Sequence, residues 1–339
     1  MSSSSSSSCS PLTAASQSFL AQFFPPTAPL QRDIPIDLGR VNMETATRKF
    51  GGPSPSVRRV DDLSVPCLGN PNKSFKIRVY WPTVEKEKKL PVVLYAHGGG
   101  WVKGNLNTHD NVCRRLATGS GQVVVAVDYR LSPESRHPDA LDDLEAAFEW
   151  VGGQAMLDPT QVTVAGDSAG GNLVSALVVR LLNKKEGEVM PEHHVKRQVL
   201  IYPIVDMRME GESYEKYGAG FGLSKVSIQY YVETYLGPGY TDALVMNPEV
   251  SPILFGKPEM MPSTMIVTAE CDPFASEAEA LRERLEGAGV KVKHVVFPGT
   301  VHAYLTYFDL FSESEMSVGD IVGWLKEETL AGGGVQGGV

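Results

Sequence analysis

Gln161 to Asn172 reads QVTVAGDSAGGN, and this stretch decides the fold. Val162, Val164 and Ala165 form a short apolar run with β-branched members, which suits a strand buried on both faces. Gly166-Asp167-Ser168-Ala169-Gly170 follows at once, and LVSALVV from Leu173 to Val179 runs on as a buried helix. A strand, a sharp turn with serine at its apex and a helix make the G-x-S-x-G nucleophile elbow. Gly166 and Gly170 flank the turn because a side chain at either position would crowd the strand against the helix. The helix N-terminus also aims backbone N–H groups toward Ser168, where an oxyanion would form. A glycine-rich turn that merely contains serine is the bland alternative, so the rest of the chain has to decide.

An activated serine needs a base, and neutral histidine is the usual one because it titrates near working pH. Among seven histidines, His294 falls inside a predicted strand, and His193 and His194 adjoin a charged surface connection. His109 and His137 lie near predicted helix starts, where structural roles suffice. His302 differs, because it follows the last predicted strand across Phe297-Pro298-Gly299-Thr300-Val301 and reaches the sheet end where the elbow opens. The histidine in turn needs a carboxylate to hold its tautomer. Asp272 follows the strand Met265 to Ala269 and lies between Ser168 and His302 in sequence; Glu270 and Asp206 are its rivals. Upstream, His97-Gly98-Gly99-Gly100 closes the strand Val92 to Ala96. Its glycines let the amides of Gly99 and Gly100 join that of Ala169 in a three-donor oxyanion hole.

Around these motifs the pattern is α/β. Eight strands are expected: Val57 to Val65, Phe75 to Trp81, Val92 to Ala96, Val123 to Asp128, Val162 to Gly166, Val199 to Pro203, Met265 to Ala269 and Val292 to Phe297. The first two are joined by a short connection and should pair antiparallel. The other six are short, apolar and separated by helix-length segments, as a parallel sheet covered on both faces requires. Leu141, Leu144, Phe148 and Val151 mark one covering helix, and Leu281 with Leu285 another before Gly287.

Two segments do not fit a simple crossover. Phe19, Leu20, Phe23 and Phe24 sit at helical spacing before Pro25-Pro26, and Leu38, Val41 and Ala46 make a weaker stripe ending at Gly51-Gly52. Residues 16–55 therefore read as N-terminal cap helices. A second cap segment, about 206–248 and with a helix over Ser224 to Tyr235, falls at the end of the sheet where such folds bind ligands. Phe19, Phe23, Phe24, Phe221, Tyr230 and Tyr231 suit an aromatic pocket cover or ordinary core equally. The catalytic domain spans 56–330, between a disordered Ser-rich tail at 1–15 and a flexible Gly-rich tail at 331–339.

Composition narrows the class further. A net charge of -9 and no basic stripe argue against nucleic acid as a partner. The charged run Lys86 to Lys89 reads as a solvated loop. Cys9, Cys67, Cys113 and Cys271 show no C-x-x-C spacing, which favours reduced thiols over disulfides or zinc. No apolar stretch approaches the roughly 18 residues that span a bilayer, so no stable membrane insertion is expected. The serine tract Met1 to Ser10 lacks the basic and apolar regions of a secretory signal. A cytoplasmic location is expected, with plastid import as the minor reading; a homodimer is left open.

With HGGGWVKGNLNTHD from His97, DYRLSPE from Asp128, GDSAGGN from Gly166, Asp272-Pro273 and the loop around His302, the chain resembles the hormone-sensitive-lipase-like branch of α/β-hydrolase carboxylesterases from about Ser16 onward. The resemblance implies an α/β-hydrolase fold with an eight-stranded, mostly parallel sheet and a two-part helical cap. It implies Ser168 as nucleophile, His302 as base, Asp272 as orienting acid, HGGG amides as oxyanion donors, no metal and no cofactor. The implied function is hydrolysis of carboxylic esters of small to medium, mainly apolar substrates through an acyl-enzyme. Acyl transfer, or a lyase or cyclisation step, is the alternative. A small-molecule receptor is the weaker one, because the receptor type of this branch lacks the base histidine. The chain departs from the family's D-x-L-x-D-E, having Asp272-Pro273-Phe274-Ala275-Ser276-Glu277. It also has His302-Ala303-Tyr304 where H-G-F is usual, and Ser132 where DYRLAPE has alanine.

Overall fold

The computed structural model describes residues 10–83, 89–184 and 194–332, with side chains to Glu327. The readings of Met1 to Cys9, of Lys86 to Lys88, of His193 and of the tail from 333 lie outside the described residues. In chain order the helices are α1 (Ala14–Phe23), α2 (Ile36–Phe50), α3 (Asp110–Ser120), α4 (Asp139–Gly152), α5 (Ala169–Asn183), α6 (Glu212–Tyr217), α7 (Lys225–Leu236), α8 (Asp242–Val245), α9 (Ala275–Gly287) and α10 (Ser312–Gly332). The strands are β1 (Arg59–Cys67), β2 (Asn70–Trp81), β3 (Leu90–Ala96), β4 (Val123–Asp128), β5 (Leu157–Asp167), β6 (Val195–Ile201), β7 (Ser263–Cys271) and β8 (Val292–Val301).

Among the described residues the strands form one eight-stranded sheet in the order β1-β2-β4-β3-β5-β6-β7-β8. The β1–β2 hairpin and the β2–β4 pair are antiparallel; β4, β3, β5, β6, β7 and β8 are parallel to their neighbours. In β3, Val92, Leu94 and Ala96 join the cluster built with α4, α5 and α9, while Val93 and Tyr95 join the cluster built with α3 and α10. That period-two split explains why the strand is apolar throughout: both of its faces are covered. From β3 the chain moves outward to β4 and then returns to β5 on the other side of β3. The ends of β3 and β5 therefore flank the switch point where open α/β sheets bind ligands. His97 leaves β3 there, and Ser168 leaves β5.

Residues before Ser16 are held by the fold. Thr13 caps α1 by accepting from the Ser16 amide, and its own amide donates to the Gly299 carbonyl at 3.0 Å. The Ser10 amide donates to Glu270 at 3.1 Å. Residues 10–15 are thus fixed against the end of β8 and are not tail. The stripe read in α2 also needs correction. Leu38 and Val41 are 50% and 59% exposed, and the buried positions are Gly39 and Thr47. Gly39 faces inward because the helix lies close to Lys103, whose Cδ would stand 3.3 Å from a Cβ at that position. Between β6 and β7, helix α7 forms one residue later than expected, with Ser224 as its N-cap accepting from the Ser227 amide. No helix among the described residues is long and apolar enough to cross a membrane.

Candidate active site

Ser168 sits between β5 and α5 with φ 54° and ψ −119°, a backbone conformation that L-residues rarely adopt. Its amide donates to the Ile201 carbonyl at 2.8 Å, tying the turn to β6. A Cβ at Gly166 would lie 2.4 Å from the Gly170 carbonyl oxygen, and one at Gly170 would lie 2.1 Å from that of Ala96. Neither position can carry a side chain while strand, turn and helix pack this closely.

His302 leaves β8 and brings Nε2 to 2.9 Å from Ser168 Oγ. Its Nδ1 stands 2.6 Å from Asp272 Oδ2. A carboxylate only accepts, so Nδ1 carries the proton and donates to Asp272. Nε2 is left with the lone pair that the Ser168 hydroxyl donates to. The second oxygen of Asp272 accepts from the Phe274 amide at 2.9 Å. The D-P-F departure from the family pattern thus still supplies a backbone donor to the acid. The rings of Tyr202 and Phe274 meet the His302 imidazole edge-on at 4.8 and 5.1 Å, which limits its rotation. Ala303, next in the chain, takes φ +66°, the left-handed conformation that the family's glycine adopts without strain.

The rival residues are engaged elsewhere. Asp206 is clamped by Arg208 at 2.6 and 2.8 Å, and Glu270 accepts from the Gly299 amide at 2.8 Å as well as from Ser10. His294 lies between Thr268 and Glu279, and His137 meets the Tyr235 hydroxyl at 3.2 Å.

The HGGG loop contributes Gly99 and Gly100 to the same cavity that His302 lines. The Gly98 amide donates to Asp167 Oδ1 at 3.0 Å, so it is not one of the outward-facing donors. Gly99 and Gly100 take φ +126° and +62°, and a Cβ at Gly99 would lie 2.2 Å from the Lys103 carbonyl oxygen. Among the described residues, no protein group accepts from the amides of Gly99, Gly100 or Ala169. Asp167 couples this loop to the elbow, since it also accepts from the Tyr95 hydroxyl at 2.7 Å and faces His109 Nε2 at 3.2 Å. Burial pushes its carboxyl upward, but the His109 charge and the hydrogen bonds from His109 and Tyr95 outweigh that and hold it below the ordinary range. His97 stacks on Tyr129 at 4.3 Å, and burial, reinforced by neighbouring His109, pushes it down to about 3, so it stays neutral. The links through Tyr95 and His109 are absent from the sequence reading. Only the buried aspartate within G-D-S hints at them.

A cavity of about 540 Å³ opens over Ser168 and His302. Phe19, Phe23 and Phe24 reach it from α1 and the residue after it, Met43 and Phe50 from α2, and Ile228 and Tyr231 from α7. Phe221 and Tyr230 are not in its lining; they pack on Tyr217 and Tyr231 at 5.1 and 5.4 Å. The arrangement can therefore present a deprotonatable hydroxyl, a proton acceptor and free amides to an apolar acyl group.

Residues 93–306 match the alpha/beta hydrolase fold family, and the chain belongs to it. It is 30% identical to the ethyl acetate hydrolase of Pseudomonas putida, over 86% of this chain and 90% of that protein. It is 37% identical to a carboxylesterase of Mycobacterium tuberculosis, over 68% of this chain and 71% of the relative. Among solved structures, the esterase of Pyrobaculum calidifontis superposes with a TM-score of 0.82 at 32% identity, covering 94% of this chain and 99% of that one. An ester-hydrolase from the metagenome of Lake Arreo gives 0.85 at 29% identity, again over 94% and 99%.

Proposed function

We propose that this chain is a serine carboxylesterase acting on small to medium, mainly apolar esters. The hydrogen-bonded series Ser168–His302–Asp272 at the floor of an aromatic cavity carries the reading. Ser168 Oγ forms a bond to the ester carbonyl carbon while its proton passes to His302 Nε2. The tetrahedral oxyanion takes hydrogen bonds from the amides of Gly99, Gly100 and Ala169. Collapse expels the alcohol, which leaves with the proton from His302, and Ser168 holds the acyl group. Water then enters, gives its proton to His302 and releases the acid by the same steps in reverse. Asp272 keeps His302 in the tautomer this requires and stabilises the imidazolium.

The names of the relatives support an ester as substrate. We place α1, α2 and the 206–248 segment as a two-part cap. A cytoplasmic location is favoured by Cys67 and Cys113, which are free and buried. The test is Ser168→Ala with p-nitrophenyl butyrate: turnover should fall to background while the thermal unfolding midpoint stays within a few degrees. Turnover equal to that of the parent would refute the assignment.

A further inference from the structure

Lys103 is a partly buried cation on the wall of the cavity, whose lining holds one further lysine, the exposed Lys49. Its amide donates to the Gly99 carbonyl at 3.0 Å, so its backbone is held one turn from the oxyanion-loop glycines. The stem lies along Gly39 of α2, and Nζ donates to Gln31 Oε1 at 2.9 Å and stands 5.1 Å from the centre of the Tyr231 ring. Gln31 Oε1 also accepts from the Tyr231 hydroxyl at 3.0 Å. Lys103, Gln31 and Tyr231, from three separate segments, thus converge at the cavity wall. Among the described residues no carboxylate lies within ion-pair distance of Lys103 Nζ. The one acidic residue of the lining, Asp167, is taken by Gly98, Tyr95 and His109.

A half-buried ammonium without a counter-ion is expensive. Burial pulls the Lys103 amine down to about 8, which still leaves it mainly protonated at neutral pH. A neutral partner, one amide oxygen, and a ring face are weak compensation for that charge. A charge arriving with a ligand would close that gap, and Gln31 Nε2, which has no acceptor among the described residues, is a second donor suited to the same ligand chemistry.

We propose that the cavity selects esters bearing a carboxylate remote from the scissile bond, with Lys103 as counter-ion and Gln31 as a second donor. This specificity rests on the esterase reading above. The cavity's aromatic side then holds the methylene chain, and Lys103 sets which end of the substrate faces the oxyanion loop. The chain as a whole is acidic, with net charge -9, so overall charge does not attract such a ligand; local placement of this amine has to do so.

The test compares kcat/KM for two matched pairs. Monoethyl adipate against ethyl adipamate places the carboxylate or its neutral amide on the acyl side. 4-Acetoxybutanoate against 4-acetoxybutanamide places them on the alcohol side. Because each comparison is a ratio within one protein preparation, partial loss of folded enzyme cancels. The parent should prefer the anion in one of the two pairs. Lys103→Met should lower that ratio about ten- to a hundredfold, the range carried by a charge-assisted hydrogen bond. Lys103→Arg should restore much of it. A parent ratio at or below one in both pairs, or a ratio that Lys103→Met leaves unmoved, overturns the proposal. Turnover of none of the four esters, nor of p-nitrophenyl butyrate, would instead remove the esterase reading itself.

Discussion

Asp167 offers the sharpest test of how the site is held together, because its hydrogen bonds go to Gly98 and Tyr95 and not to Ser168 or His302. Its carboxylate accepts from the Gly98 amide at 3.0 Å and from the Tyr95 hydroxyl at 2.7 Å, and both contacts are buried. Asp167→Ala leaves those two donors without an acceptor. At about 1–3 kcal/mol for each buried donor left unsatisfied, the loss of stability is about 2–6 kcal/mol. That is a large share of the 5–15 kcal/mol typical of a folded domain. The consequence for rate comes through Gly98: released from Asp167, it no longer fixes the path of Gly99 and Gly100. Displacing a single oxyanion donor costs about 10²–10³ in kcat, and Asp167→Ala should show at least that. Asp167→Asn keeps a carbonyl oxygen in place of Oδ1 and loses chiefly the charge facing His109, so its kcat should stay within about tenfold of the parent. Rates on p-nitrophenyl butyrate, normalised by phosphonate titration of reactive serine, separate a misplaced loop from a loss of folded protein; urea unfolding gives the stability term. If the alanine variant retained kcat within tenfold per titrated serine, Asp167 would have no hold on the oxyanion loop. An asparagine variant as slow as the alanine one would show that charge, not hydrogen-bond acceptance, is what matters.

Two further outcomes follow from the same geometry. Asp272→Asn should cut kcat about 10⁴-fold through the wrong imidazole tautomer, whereas Asp206→Asn, altering a carboxylate held by Arg208, should stay within tenfold; the opposite pattern in steady-state kinetics would move the acid. Glu277, buried while accepting from the Val205 amide and the Tyr214 hydroxyl, is pushed well above the ordinary carboxyl range by burial. Its folded form therefore holds a proton that the unfolded chain releases above about 4.5, so this residue lowers stability as pH rises, by up to about 1.4 kcal/mol per unit until the folded group also ionises. Urea unfolding between pH 5 and 8 should show the parent losing stability relative to Glu277→Gln, and parallel curves for the two would contradict the assignment.

How far the sequence carries depends on what kind of constraint a residue obeys. The three residues Ser168, Asp272 and His302 are legible because each follows a strand on the same sheet edge and chemistry allows few substitutes. The strands of the parallel sheet are legible because both faces are buried, as Val92 to Ala96 shows. Helix α2 was legible as a helix but not in its orientation. Its apolar residues Leu38 and Val41 face outward, because proximity to Lys103 favours Gly39 on the inner face. Periodicity measures hydrophobicity and is blind to a contact that selects for absence of a side chain. Lys103 itself stands inside the quoted HGGGWVKGN run, yet nothing local shows that Gln31 and Tyr231 will meet it. The same holds for Tyr95 and His109 around Asp167.

The glycines at the two motifs are better understood as one contact than as two flexible turns. A Cβ at Gly98 would lie 2.2 Å from Asp167 Oδ2; one at Gly170 would meet the carbonyl oxygens of Ala96 and His97 at 2.1 and 2.7 Å; and one at Gly166 would meet that of Ala96 at 2.8 Å. Gly98 and Gly170 are therefore glycine because the other motif occupies the space, and Gly166 is crowded from both sides, first by Gly170 and then by Ala96. Gly98 has no positive φ to explain it; closeness alone does. Gly104, at φ +92°, extends the same packing, since its Cβ would lie 2.4 Å from His97 Nδ1. The pairing of HGGG with G-D-S-A-G is then a steric necessity of bringing β3 and β5 side by side at the switch point. The amides of Gly99 and Gly100 and Ser168 keep their relation because backbone approaches backbone across that seam, and Asp167, the last residue of β5, bonds across it to Tyr95 in β3 and to Gly98 just beyond. A substitution at Gly170 should accordingly disturb the amides of Gly99 and Gly100 as much as the turn at Ser168, because the two loops are packed against each other.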